Sequence, residues 1–73
     1  MALVKLVTEV TGSVWKINLQ PGDAVAEGDV VMIIESMKME IPVIAEEAGT
    51  LKEVMVAESE PVSEGQTVAT LST

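Results

Sequence analysis

Cysteine, histidine, phenylalanine and tyrosine are absent from this chain, and all four of its basic residues are lysines. Without cysteine there is no disulfide, no thiol nucleophile and no thiolate metal ligand. Without histidine, tyrosine or arginine the usual general bases and oxyanion donors are missing too, so no catalytic residue is assigned. With Trp15 as the sole aromatic, any core must be built from Val, Ile, Leu, Met and Ala. Positive charge is scarce: 12 acidic residues face 4 basic ones, a net charge of −8. Such a surface repels a phosphate backbone or an anionic lipid, which argues against nucleic acid and membrane as partners. The carboxylates are scattered and read first as a solvated face, with steering toward a basic protein as the second reading. No apolar run is long enough for a secretory h-region or a membrane span, since Lys5 cuts Ala2-Leu3-Val4 from Leu6-Val7. A cytoplasmic location is the expectation.

What is present is a repeat. The 73 residues suffice for one compact domain, 1–73, which buries roughly 60% of the surface of its unfolded chain and leaves little room for a catalytic cleft. Gly12 to Glu35 can be laid over Gly49 to Ser72 without a gap, pairing Gly12 with Gly49, Val25 with Val62, Glu27 with Glu64, Gly28 with Gly65 and Val31 with Val68. Val14/Leu51, Ile17/Val54, Leu19/Val56 and Ile34/Leu71 are apolar in both copies. Each copy reads as a strand, a turn-rich stretch and a second strand. Trp15, Ile17 and Leu19 alternate with Lys16 and Asn18, which predicts a half-buried strand with Trp15 packed inward, a contact surface for a partner being the second reading of Trp15. Val31 to Ile34 is a continuous apolar run, as in a strand covered on both sides. Pro21-Gly22-Asp23 and Ser59-Glu60-Pro61 mark turns. Gly12, Gly28, Gly49 and Gly65 read as turn residues without phosphate-loop spacing. Pro42 interrupts an alternating stretch and predicts an edge strand. No helical periodicity free of Gly or Pro extends over ten residues. The fold class is therefore all-β: a flattened barrel or sandwich of about eight short strands with quasi-two-fold symmetry.

Between the copies lies Glu35-Ser36-Met37-Lys38-Met39-Glu40. The chain must reverse here between a strand ending near Glu35 and another from Met39 to Ile44. Two-residue hairpins favour Asn-Gly or Asp-Gly because both central residues take positive φ, and none of these residues meets that demand. Side chains that violate local rules point to function. Exposing Met37 and Met39 forgoes about 1.5 to 3 kcal/mol of burial each, so two methionines beside one lysine fit an adaptable recognition surface. The competing reading folds both back into the core.

The stretch Glu35-Ser36-Met37-Lys38-Met39 resembles the attachment signature of biotinyl domains, usually Glu-Ala-Met-Lys-Met. The Gly-Asp-x-Val-x-x-Gly pattern from Gly22 to Gly28 is similar as well, and the likeness runs from about Leu3 to Leu71. Ser36 departs from the usual Ala, another compact residue, and no insertion matches the protruding thumb of some carboxyl carriers. The resemblance implies that Lys38 receives biotin as an amide from a biotin protein ligase, with Glu35, Ser36, Met37, Met39 and Glu40 forming the surface read by ligase and partners. It implies a carrier rather than an enzyme, moving a carboxyl group from a biotin carboxylase to a carboxyltransferase. Met1 opens the domain without a linker, as expected of a free-standing attachment protein or a trimmed domain. Two alternatives remain: a lipoyl carrier of a 2-oxoacid dehydrogenase type of system, with lipoate on Lys38, or an unmodified adaptor of the same fold. Lipoyl domains typically carry Asp-Lys-Ala at the tip, against which Met37 and Met39 argue. No metal site is expected, because Glu46-Glu47 is the densest acidic pair and no Asp-x-Asp-x-Asp-Gly loop is present.

Overall fold

Short runs of β-branched and aliphatic residues become eight strands in the computed structural model, which describes residues 2–73. They are β1 (Leu3–Val7), β2 (Gly12–Ile17), β3 (Ala24–Val25), β4 (Val30–Ser36), β5 (Met39–Ile44), β6 (Gly49–Val54), β7 (Pro61–Val62) and β8 (Thr67–Ser72). Two antiparallel four-stranded sheets form, in the orders β1-β8-β6-β3 and β5-β4-β2-β7. The 37-residue offset of the repeat carries β1 onto β5, β2 onto β6, β3 onto β7 and β4 onto β8, so one sheet order maps onto the other. Pro42 lies on β5, an edge strand, where its missing N–H breaks no ladder.

The sheets enclose an aliphatic core in which Val14, Val31, Met32, Ile34, Leu51, Val68, Ala69 and Leu71 are at most 1% exposed. The two halves contribute matching residues, Val14 with Leu51, Val31 with Val68 and Ile34 with Leu71.

Bulges account for what strict alternation mispredicts. On β2, Val14 pairs with Ile34 and Lys16 with Ile33, which leaves Trp15 as an extra residue. The bulge turns its side chain outward, and Trp15 is 48% exposed rather than packed. Ile17 returns to the core side and is half-buried. The same shift occurs on β6 at Lys52, the repeat-mate of Trp15. A second pair of bulges, at Val31 on β4 and Val68 on β8, turns Val31 with Met32 and Val68 with Ala69 all into the core. The apolar run from Val31 therefore reflects a bulge, not a strand covered on both sides, and Ile33 stays half-exposed on the outer face.

Two of the four repeat-matched glycines are not turn residues. Gly12 and Gly49 open β2 and β6, and backbone carbonyls approach where a Cβ would stand. Gly28 and Gly65 do occupy turns, with φ of 91° and 85°. The turns after β2 and β6 share one closure: the Gln20 N–H donates to Asp23 Oδ2 at 2.8 Å, and the Ala57 N–H to Glu60 Oε1 at 3.1 Å. Ala26 with Asp29 and Ser63 with Gln66 repeat it in the following turns. Asp, Glu and Gln thus perform one task at equivalent places without being identical.

Candidate functional site

The β4–β5 hairpin decides where the lysine goes. Its ladder runs from Ile33↔Pro42 through Ile34↔Ile41 and Glu35↔Glu40 to Ser36↔Met39, leaving Met37 and Lys38 as the two loop residues. Both have positive φ, 50° and 69°, as a type I′ turn requires. For residues bearing a Cβ, each left-handed conformation costs about 1 to 2 kcal/mol, so this turn carries strain that Asn-Gly would avoid. The strain buys projection. Lys38 is exposed, Met37 is 93% exposed and Met39 is 61% exposed. Neither methionine folds back into the core, in contrast to Met32, which is fully buried.

Beneath the tip the stem is held on one side. The Ser36 hydroxyl donates to the Thr11 carbonyl at 2.8 Å, while the Thr11 hydroxyl accepts the Glu64 N–H at 3.0 Å. Thr11 thereby links the stem to the turn before β8, a role that nothing in its sequence neighbourhood signals. Glu35 and Glu40 stand directly opposite each other and both are exposed. Like charges in such a pair destabilise a sheet by up to about 1 kcal/mol. Strain at the tip and repulsion in the stem thus fall within the one stretch from Glu35 to Glu40, separated by the Ser36↔Met39 rung. Glu35, Ser36, Met37, Lys38, Met39 and Glu40 are brought together as one protruding element, with the amine at its apex.

Among the described residues no group of three or more Asp or Glu is placed to hold a metal ion. A groove of about 420 Å³ runs between the edge strands β1 and β5, lined by Val4, Leu6, Ile41 and Val43 among others, and includes none of the residues from Glu35 to Glu40. No helix among the described residues is long and apolar enough to cross a membrane.

Residues 3–71 match the family model described as "Biotin-requiring enzyme", the biotin/lipoyl attachment domain. The chain belongs to this family. It is similar to the biotin/lipoyl attachment protein of Bacillus subtilis, 42% identical over 64 residues that cover 88% of each chain. It is 39% identical over 64 residues to the biotinylated protein TB7.3 homolog of Mycobacterium leprae, covering 88% of this chain and 90% of the relative. Among solved structures, the urea carboxylase of Kluyveromyces lactis superposes on 99% of this chain with a TM-score of 0.93 and 35% identity. The chain spans only 6% of that carboxylase. The family assignment makes this a small carrier-type domain, and the two four-stranded sheets are the fold expected of it.

Proposed function

We propose that residues 1–73 form one attachment domain, that Lys38 is its modified residue, and that the group it carries is biotin. The observation that carries this reading is the tip itself: within the signature-like stretch from Glu35 to Glu40, Lys38 tops a two-residue turn with positive φ at both positions and Met37 almost fully exposed beside it. A primary amine held there can reach into another protein's active site with little main-chain obstruction. Biotin protein ligase supplies biotinyl-adenylate; the Lys38 amine attacks the acyl carbon, a C–N bond forms, the acyl–phosphate bond breaks, and AMP leaves. The lysine proton passes to the ligase, because this chain has no histidine to take it. Biotin, when bound on Lys38, would supply a ring nitrogen able to take up a carboxyl group at a biotin carboxylase and give it to the acceptor substrate at a carboxyltransferase. The chain's own part is to present the amine, to offer Glu35, Ser36, Met37, Met39 and Glu40 to each partner, and to keep its fold during transfer. A cytoplasmic location is part of the same reading.

Met37 and Met39 favour biotin over lipoate as the carried group. Intact-mass measurement after co-expression with a biotin ligase, and separately with a lipoate ligase, tests the assignment. A biotin-sized increment lost in Lys38→Ala is expected; a lipoyl increment alone, or biotin persisting on Lys38→Ala, overturns it.

A further inference from the structure

Two sheets built from one repeat provide an internal control. Their inner faces answer the same demand and carry matching apolar residues. Their outer faces would match equally if folding alone chose them, and they do not. On the sheet that bears the hairpin, half-buried Ile33 pairs with exposed Pro42 on one side and exposed Lys16 on the other, with bulged Trp15 next to Lys16. At the repeat-equivalent positions on the other sheet stand Lys5, Glu53 and Lys52 around Thr70, which is buried. Trp15 and Pro42 thus stand where the twin sheet carries lysines, and Trp15, the chain's single aromatic residue, is 48% exposed. The other sheet has exposed apolar residues of its own, Leu3 and Val7 on β1 and Met55 just beyond β6, whose mates are Glu40, Ile44 and Asn18.

Position and charge say what this face is for. The Ile33↔Pro42 rung lies two residues below Glu35↔Glu40, or about 7 Å along the strands. A protein interface of standard size covers about 800 Å² per partner, a disc about 16 Å in radius. The domain measures 36 × 18 × 17 Å, so an enzyme centred on the tip must spread down one of its broad faces. Exposed aromatic residues with a charged rim are what a protein interface uses. Resting on the assignment of Lys38 above, we infer that the outer face of Trp15, Ile33 and Pro42 is the docking surface for biotin protein ligase. The ligase surface meeting it pairs an apolar patch with basic side chains opposite Glu35 and Glu40.

The twin sheet supplies the test, since its residues are already tolerated at equivalent sites. Trp15→Lys combined with Ile33→Thr makes one face resemble the other. With purified ligase, KM for the double variant is expected to rise at least tenfold while kcat stays within a factor of two; Lys52→Ala on the opposite sheet leaves both unchanged. An unaltered KM, or an equal change for Lys52→Ala, overturns the docking face. Should the double variant fail to fold, the wild-type domain still decides. It has one tryptophan, so its single indole N–H resonance must shift or broaden when ligase is added, and an unmoved resonance refutes the proposal. Wild-type protein that the ligase does not modify at Lys38 instead overturns the site assignment, so the two failures are distinguishable.

Discussion

Gly12 lies against the carbonyl oxygen of Glu35, and its repeat-mate Gly49 lies against that of Ser72, where an added Cβ would stand 2.6 Å from the oxygen. Glu35 is three residues from Lys38, so the backbone of β2 directly supports the hairpin stem. Gly12→Ala must push β2 from β4 and is expected to destabilise the domain by about 2 kcal/mol or more, lowering Tm by roughly 10 °C or more on thermal unfolding followed by circular dichroism. Gly22→Ala is the comparison: φ is 98° but nothing lies near the new Cβ, so only the left-handed strain of about 1 to 2 kcal/mol applies. Equal losses would show that the close approach is unimportant.

Ser59 occupies the position that Gly22 holds in the first copy, with φ of 75°. The repeat has therefore kept the turn and lost its glycine. Ser59→Gly is expected to stabilise the fold by about 0.5 to 1 kcal/mol, the relief of strain being partly offset by a more flexible unfolded chain. A lower Tm would contradict it.

Thr70 is 6% exposed, and its hydroxyl is without a hydrogen-bond partner among the described residues. Its repeat-mate is Ile33. Thr70→Val removes the unpaired polar atom with little change in shape and is expected to raise stability by about 1 kcal/mol, read from the urea midpoint at unchanged m-value. A fall in the midpoint would mean that the hydroxyl is satisfied by solvent.

Val31 tests the bulge. It is fully buried at the β4 register shift, and Val31→Asp would place a carboxylate without a partner in an aliphatic core. Loss of the folded state at 25 °C is expected. An unchanged thermal midpoint would show that β4 is misplaced.

Much of this architecture was legible in the sequence because repeat and period agreed. The 37-residue offset pointed to two equivalent halves, Pro42 to an edge, and the span from Glu35 to Met39 to a hairpin. Bulges were not legible. A single extra residue at Trp15 or Val31 reverses side-chain parity downstream, and local composition does not mark it. That is why Trp15 is expected inside and why Val31 to Ile34 looks doubly covered, whereas Gly12 passes for a turn residue because the carbonyl it lies against, that of Glu35, is distant in sequence. The same register shift that defeated alternation leaves Trp15 on the outer face of the lysine-bearing sheet. Thr11 was missed because its contacts to Ser36 and Glu64 join segments 25 and 53 residues apart.

Recognition at the tip separates from folding in Met37→Asp combined with Met39→Ala. Both methionines are exposed, so the variant is expected to keep its Tm within a few degrees while its rate of biotinylation falls. A loss of several kcal/mol, as for buried Met→Ala, would contradict the exposed placement.

The strain at Met37 and Lys38 can itself be measured. Met37→Asn with Lys38→Gly installs the pair that a type I′ turn prefers, and it removes two left-handed residues bearing unsuited side chains. This variant is expected to gain about 1 to 3 kcal/mol of stability and to lose labelling completely, because no amine remains at the tip. Lys38→Ala keeps the strain and loses the same label, so the stability gap between these two proteins isolates the turn from the chemistry. If the Asn-Gly variant proved no more stable than Lys38→Ala, the tip would be relaxed as it stands. Its residues would then impose no folding penalty, and the conflict between local preference and presentation of the amine would vanish as a mark of function.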